Sequence, residues 1–464
     1  MDTGGRAIPT ELVYRILGFL PLVDLLRAMP VCQLWRAVAQ DLPVYWRNIQ
    51  LLREDASPAA LTLAATRISC ARSRPITVDI RLADPTPLLQ LISAHLYHIA
   101  DLQLHAEDLD AAQRISTTLS VAAPLLKSLW LEYYLWSNNT AGWPALNPEF
   151  LRGCPLLRRL IVHDFLLPPD SSMPVLLSLK FLSVRCDDLT HNSVAIPNLP
   201  ASCPSLERLH LEGNITLGPS FRDESSWRKI DTLFLVGPCA EIYATLPVSR
   251  IRRVKLDVSA TFACFQQLLS HIPPGPPFLA FHLLGEVTVS SSLPQPYFIR
   301  TRLSAGDHSI VREVEFFVAP NKEPAPQTVF HCLLDVASRA GTVLFSSAGW
   351  AVFVGFCTKL PATERLIIVL DEYCTHLLSS LPDASIWCPR LRKLELCRAG
   401  HFLDPWRVAP PELVRFTRTA VGEMTDLELC LSGIVIDGQV SDLGPTFSSV
   451  SYNHRRIDNV LDVY

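Results

Sequence analysis

The chain has 464 residues, 49% of them apolar, with 41 Lys and Arg against 45 Asp and Glu and a net charge of −4. That apolar share excludes a disordered chain, and the near balance of charge gives no reason to expect nucleic-acid binding. The 13 cysteines include no Cys-x-x-Cys pair, so metal-finger spacing is absent, and an odd, scattered set fits free thiols in a reducing compartment, cytoplasmic or nuclear. The N-terminal residues lack a signal-peptide pattern. The most apolar run, 343–357, is broken by Ser346, Ser347 and two glycines and is too short to span a bilayer, so no membrane partner is expected.

Near the N-terminus, Leu12, Val13, Ile16, Leu17 and Leu20 have the spacing of one helix face. Pro9 suits the first turn of that helix and Pro21 stops it. Asp24 is placed to cap a short second helix carrying Leu25 and Leu26, which Pro30 limits. A third segment repeats the pattern at Val31, Leu34, Trp35 and Val38. Three such helices cannot bury much surface alone, so the module is expected to present part of its apolar face to a partner.

The ordered run Ile8-Pro9-x-Glu11-Leu12, Ile16-Leu17, Leu20, Asp24-Leu25-Leu26, Val31-Cys32-x-x-Trp35-Arg36 and Trp46 resembles an F-box, with Ile8 standing where the family more often has leucine. The resemblance covers residues 1–50. It implies docking onto the Skp adaptor of a cullin–RING ubiquitin ligase, through Pro9, Leu12, Ile16, Leu17, Leu20, Leu25, Leu26, Val31, Cys32 and Trp35. Residues 51–75 read as a connector, with a helix expected over the alanine-rich stretch 59–68.

From residue 76 onward a pattern recurs: apolar, two mostly polar, apolar, one variable, apolar. Its middle residue is Leu102, Leu129, Leu160, Leu182, Leu209, Leu233, Val254, Val287 and Val314, then, after weaker copies near Val343 and Leu366, Leu394 and Leu427; the intervals between neighbouring strong copies run from 21 to 33. Three copies are introduced by Cys-Pro-x-Leu, at Cys154, Cys203 and Cys388. This resembles a degenerate leucine-rich repeat, whose period is about 20–29. The fold class expected is therefore α/β: a three-helix F-box followed by a curved solenoid over 76–464, one strand per repeat in a parallel sheet. The tail from Gly433 forms its cap, with a last degenerate repeat at 447–452. Most copies lack the family's asparagine, so regular turn geometry is not implied. The 37 prolines predict irregular returns between strands.

No metalloprotease, nucleophile-elbow or phosphate-loop motif occurs, so no catalytic residue, metal or cofactor is expected. The functional surface is then a binding face on the concave side of the strands. Trp130, Arg159, Arg185, Arg208, Phe234 and Arg253 are the candidate client-binding residues, the first three arginines as a basic stripe for an acidic or phosphorylated segment. Together the two resemblances imply a non-catalytic substrate receptor that brings a client protein to the ligase. Two rival readings stay open: an F-box protein that uses its adaptor outside degradation, and an enzyme on a repeat scaffold.

Overall fold

The computed structural model describes residues 8–453 except 56, 134–142, 187–193, 197, 218–226, 238–242, 244–245, 247–249, 258–267, 273–275, 285–296, 306–309, 319–325, 356, 371–384 and 399–405. The chain falls into two compact units, Met1–Ile230 and Asp231–Tyr464.

The first unit opens with four short helices, α1 (Thr10–Gly18), α2 (Leu22–Ala28), α3 (Gln33–Asp41) and the single turn α4 (Pro43–Trp46). Pro9 is the residue just before α1, and its carbonyl accepts from Leu12 and Val13 at 3.0 and 3.1 Å. Asp24 does not cap α2, as the sequence suggested. Pro21 holds that position, and Asp24 lies in the first turn, paired with Arg27 at 3.1 Å. There its carboxylate still faces the positive end of the helix dipole. Cys32 caps α3, its Sγ accepting from Trp35 N at 3.4 Å. α1 packs on α3, and α4 on the connector helix α5 (Pro58–Cys70). Buried Arg67 of α5 donates to the carbonyls of Tyr45 and Asn48, which ties the connector to the helical module. Strand β1 (Asn48–Leu51) straddles the expected boundary at residue 50, because Ile49 and Leu51 alternate into the sheet core.

The remaining elements of this unit are β2 (Ile76–Ile80), α6 (Thr86–His95), β3 (Ile99–Ala106), α7 (Leu109–Thr118), β4 (Ser128–Tyr133), α8 (Pro148–Arg152), β5 (Arg159–His163), β6 (Phe181–Cys186), β7 (Val194–Ile196), α9 (Leu199–Ser202), β8 (Arg208–Gly213) and β9 (Ile215–Leu217). Strands β1-β2-β3-β4-β5-β6-β8 form one sheet, in chain order and parallel throughout. Two files of side chains run across it in register, Leu102–Leu129–Leu160–Leu182–Leu209 and Leu104–Leu131–Val162–Val184–Leu211. None of these ten residues is more than 2% exposed. Period-2 alternation sends the residues between them to the opposite face.

The same turn leads into each of β4, β5, β6 and β8. Leu126, Leu157, Leu179 and Leu206 donate to the carbonyl three residues back, at Ala123, Cys154, Leu176 and Cys203, over 3.1–3.2 Å. Pro124, Pro155 and Pro204 hold the second turn position, where their fixed φ belongs. Cys388 and Leu391 make this turn in the second unit. The Cys-Pro-x-Leu signature is therefore a turn with a small buried first residue. Burial pushes the thiols of Cys154, Cys203 and Cys388 up to about 12.

The second unit contains β10 (Thr232–Val236), β11 (Arg253–Asp257), β12 (Phe278–Leu284), β13 (Tyr297–Ser304), β14 (Val311–Val318), α10 (Pro326–Arg339), β15 (Thr342–Ser346), α11 (Ser347–Val354), β16 (Arg365–Leu370), β17 (Lys393–Arg398), β18 (Trp406–Val408), α12 (Pro410–Val421), β19 (Leu427–Ser432), β20 (Ile434–Ile436) and β21 (Phe447–Asn453). Its sheet runs β10-β11-β14-β13-β12-β15-β16-β17-β19-β21. Among the described residues β13 alone opposes its neighbours. The meander β12–β13–β14 thus replaces a simple stack of one strand per repeat.

Three expected copies shift accordingly. Register pairs Val254 with Arg312, not Val314, and Leu394 with Leu429, not Leu427. Val287 lies outside the described residues, and β12 supplies the strand, with Leu279 opposite Val343. Arg312 is fully buried and donates from Nη1 to the carbonyls of Ile251, Arg252 and Val311 at 2.9, 3.3 and 3.0 Å. Desolvation pulls its pKa down, opposed by Tyr243. β21 is the expected last repeat, but Tyr452 is 46% exposed. No helix among the described residues is long and apolar enough to cross a membrane.

Candidate interaction surfaces

In α1 the apolar residues divide into two stripes. Val13 and Leu17 are fully buried, whereas Ile8, Leu12 and Ile16 are about half exposed and Phe19 is 88% exposed. Residues four and three apart share a helix surface, so Leu12, Ile16 and Phe19, the residue just after α1, make one outward stripe, and Ile8 is exposed ahead of the helix. Val23 of α2 and Val31 and Leu34 near α3 add further exposed apolar side chains.

Of the expected docking residues, Pro9, Leu12, Ile16, Val31 and Cys32 are exposed, and Leu20, Leu26 and Trp35 are partly so. Leu17 and Leu25 are fully buried and support the face from behind. Phe19 and Val23 are exposed as well, although the sequence pattern does not single them out. The series Ile8, Leu12, Ile16 continued by three residues was the signal that could have found Phe19.

The front face of the first unit's strands carries three rows of mixed polar and aromatic or apolar side chains. Ser128, Arg159, Phe181 and Arg208 are in register, then Trp130, Ile161, Ser183 and His210, then Glu132, His163, Arg185 and Glu212. The guanidinium of Arg159 lies 5.3 Å from the Phe181 ring centre, and Arg208, in register with Phe181 on the next strand, is exposed. Arg185 is four residues further along the strand direction, roughly 13 Å away, with its Nε 3.4 Å from Glu212. The expected stripe of three arginines is therefore two separate features. The offset of Arg185 from its core residue differs from that of the other two, and register turns this into distance.

Trp130 lies beside a buried polar group. Glu132 forks between two imidazoles, with Nδ1 of His105 and Nδ1 of His163 each 3.3 Å from one carboxylate oxygen. The Trp130 ring is 6.2 Å from His105 and 6.1 Å from His163. Desolvation holds His105 below its usual value, with Glu132 opposing. In the second unit, Lys255 stands 4.8 Å over Phe234 and reaches Glu313 at 3.5 Å and Glu315 at 3.8 Å. Arg253 is exposed, in register with Thr232 and Val311. Arg365 grips Glu395 through two bonds of 2.9 and 2.8 Å, the bidentate geometry natural to guanidinium and carboxylate.

Among the described residues no set of His, Cys, Asp and Glu could hold a metal ion. The arrangement offers side chains for recognition: an apolar stripe on the helical module and rows of charged and aromatic groups on the sheet faces. No curated protein matches this chain. The helices that carry the outward stripe, together with β1, are the part that comparison does identify: residues 6–51 match the F-box-like family.

Proposed function

We propose that this chain is a non-catalytic substrate receptor, with its F-box-like module docked on the Skp adaptor of an SCF-type ligase. Its leucine-rich-repeat-like units would hold a protein client. The observation that carries the reading is the outward stripe Leu12–Ile16–Phe19, with Ile8 exposed just ahead of it, on a segment matching the F-box-like family. Apolar side chains exposed in series are an unfavourable surface for a free chain and a favourable one for a bound chain. The receptor would act by proximity, raising the effective concentration of client lysines near the conjugating enzyme. Candidate client contacts are Trp130, Arg159, Arg185, Arg208, Phe234 and Arg253.

Co-expression with a Skp adaptor tests docking. Leu12→Asp with Ile16→Asp changes exposed positions only, so thermal stability should hold. Adaptor affinity should fall about a hundredfold, or ~2.7 kcal/mol. Undiminished adaptor recovery would remove the basis of the proposal.

A further inference from the structure

The edge of the first sheet at which its strands begin has a composition unlike either face. Consecutive strands are tied there by a backbone ladder: Arg158 N donates to Lys127 O at 2.8 Å, Lys180 N to Arg158 O at 2.9 Å, and Glu207 N to Lys180 O at 2.9 Å. Neighbouring strands in such a ladder lie about 4.8 Å apart. One position on, Arg159 and Arg208 are in register either side of Phe181. Lys127, Arg158, Arg159, Lys180 and Arg208 are all exposed. Lys180 pairs with Glu207 at 2.6 Å. Among the described residues no ion pair joins the other four to a carboxylate.

Four strands thus carry five cations against Glu207 over roughly 15 Å, in a chain whose net charge is −4. Just below this row are the turn tips. Leu125, Leu156 and Leu177 are 36%, 41% and 68% exposed there, and Ser178 Oγ donates to Pro155 O at 2.8 Å, which binds adjacent tips together.

We infer that this edge is a docking ledge for an extended, acidic, leucine-bearing segment of a partner protein. An extended peptide advances about 3.3 Å per residue and alternates its side chains. Four or five residues, on the order of the ledge's length, would present carboxylates to the cation row and apolar groups to the leucine tips. Arginine takes carboxylates in bidentate fashion, which fixes register as well as adding affinity. A nucleic acid fits less well, because a phosphate backbone has nothing to cover the leucines and Phe181 is already stacked under Arg159. A lipid surface takes up a broad apolar helix face, not three isolated tips. The inference deepens the receptor reading by naming the chemistry of the client. It replaces the centre of the sheet face with this edge as the main contact.

The test uses the full chain purified with its adaptor. The probe is a fluorescein-labelled peptide alternating Glu and Leu, read by anisotropy. Gln–Leu and Glu–Ser peptides, phosphatidylserine vesicles and oligo-dT serve as comparisons. Only the Glu–Leu peptide should bind well, and binding should weaken as salt rises to about 0.5 M. The triple variant Arg158→Glu, Arg159→Glu, Arg208→Glu should lower affinity at least tenfold. Leu156→Ser should weaken Glu–Leu binding severalfold and leave the Glu–Ser peptide unaffected. Equal binding of the peptide by wild type and triple variant overturns the inference. So does salt-insensitive binding, or binding of vesicles or oligo-dT in preference to the peptide. Adaptor recovery from the same preparations reads the docking proposal separately. A lost adaptor with intact peptide binding sinks the receptor reading alone; a retained adaptor with no peptide binding sinks the ledge alone.

Discussion

The two units use the same strand-and-turn device but treat the front faces of their strands differently. In the first unit, the positions between the two buried files are Gln103, Trp130, Ile161, Ser183 and His210. In the second, the matching positions around β12, β15 and β16 are Ala280, Leu344 and Ile367. These join Phe278, Val369 and Cys397 in a buried apolar cluster. A parallel sheet covered on both faces reads as a continuous apolar run, whereas one open on one side alternates. Leu366-Ile367-Ile368-Val369-Leu370, all fully buried, is such a run. The lesson is local: around β12, β15 and β16 the second unit conceals both faces of its strands, whereas the matching positions of the first unit keep mostly polar side chains.

The largest expected effect is on thiol reactivity. A thiol raised to about 12 is almost never a thiolate at pH 8. Cys154, Cys203 and Cys388 should therefore react with iodoacetamide far more slowly than exposed Cys32. Site-resolved mass spectrometry would show this, and comparable rates would contradict the buried turns. Next, Ile367→Asp puts an unpaired carboxylate between two covered faces and should cost several kcal/mol, on the order of unfolding the second unit. Gln103→Asp, at the matching place on the open face, should stay within about 1 kcal/mol. Chemical denaturation of each variant decides the comparison. Labelling sharpens it, because Ile367→Asp should expose Cys388 and leave Cys154 and Cys203 protected if the units open independently.

The smallest effect concerns pH. His105 is held below 6.5 by desolvation. Above that pH the imidazole is neutral in folded and unfolded chains alike. Below it the unfolded chain takes up the proton first, so stability should fall as pH drops from 6.5. His105→Gln should flatten that fall in the first unit, and an unchanged profile would mean that this imidazole does not carry it.

The sequence made some of this legible and hid the rest for physical reasons. Leu102 through Leu209 could be found because each pairs with a second apolar residue two positions on, and strands preserve that parity. The same parity misplaced Val314 and Leu427. A shift of two keeps every side chain on its face while changing its partner, so alternation alone cannot detect it. The meander went unseen because β12 and β13 are antiparallel over a stretch whose apolar content resembles any other repeat. In α1, spacing identified an apolar helix but could not say that Val13 turns inward and Leu12 outward. That choice is made by α3. The cation row is legible only in part, since Arg159 and Arg208 lie within the strand pattern but Lys127, Arg158 and Lys180 precede the strands and register alone gathers them.

The turn that leads into each strand has one more consequence. Between Leu102, Leu129, Leu160, Leu182 and Leu209 the spacing is 27, 31, 22 and 27 residues. Yet the turns before β4, β5, β6 and β8 and the strands themselves keep one geometry, so all the variation falls in the returning chain. Lengthening a loop whose ends are already fixed costs little, about 0.6 kcal/mol per doubling. Such a gene can gain or lose codons on the return side while its reading of the sheet stays in phase. New loops can then be acquired one repeat at a time, and the repeat erodes as a detectable period long before it erodes as a structure.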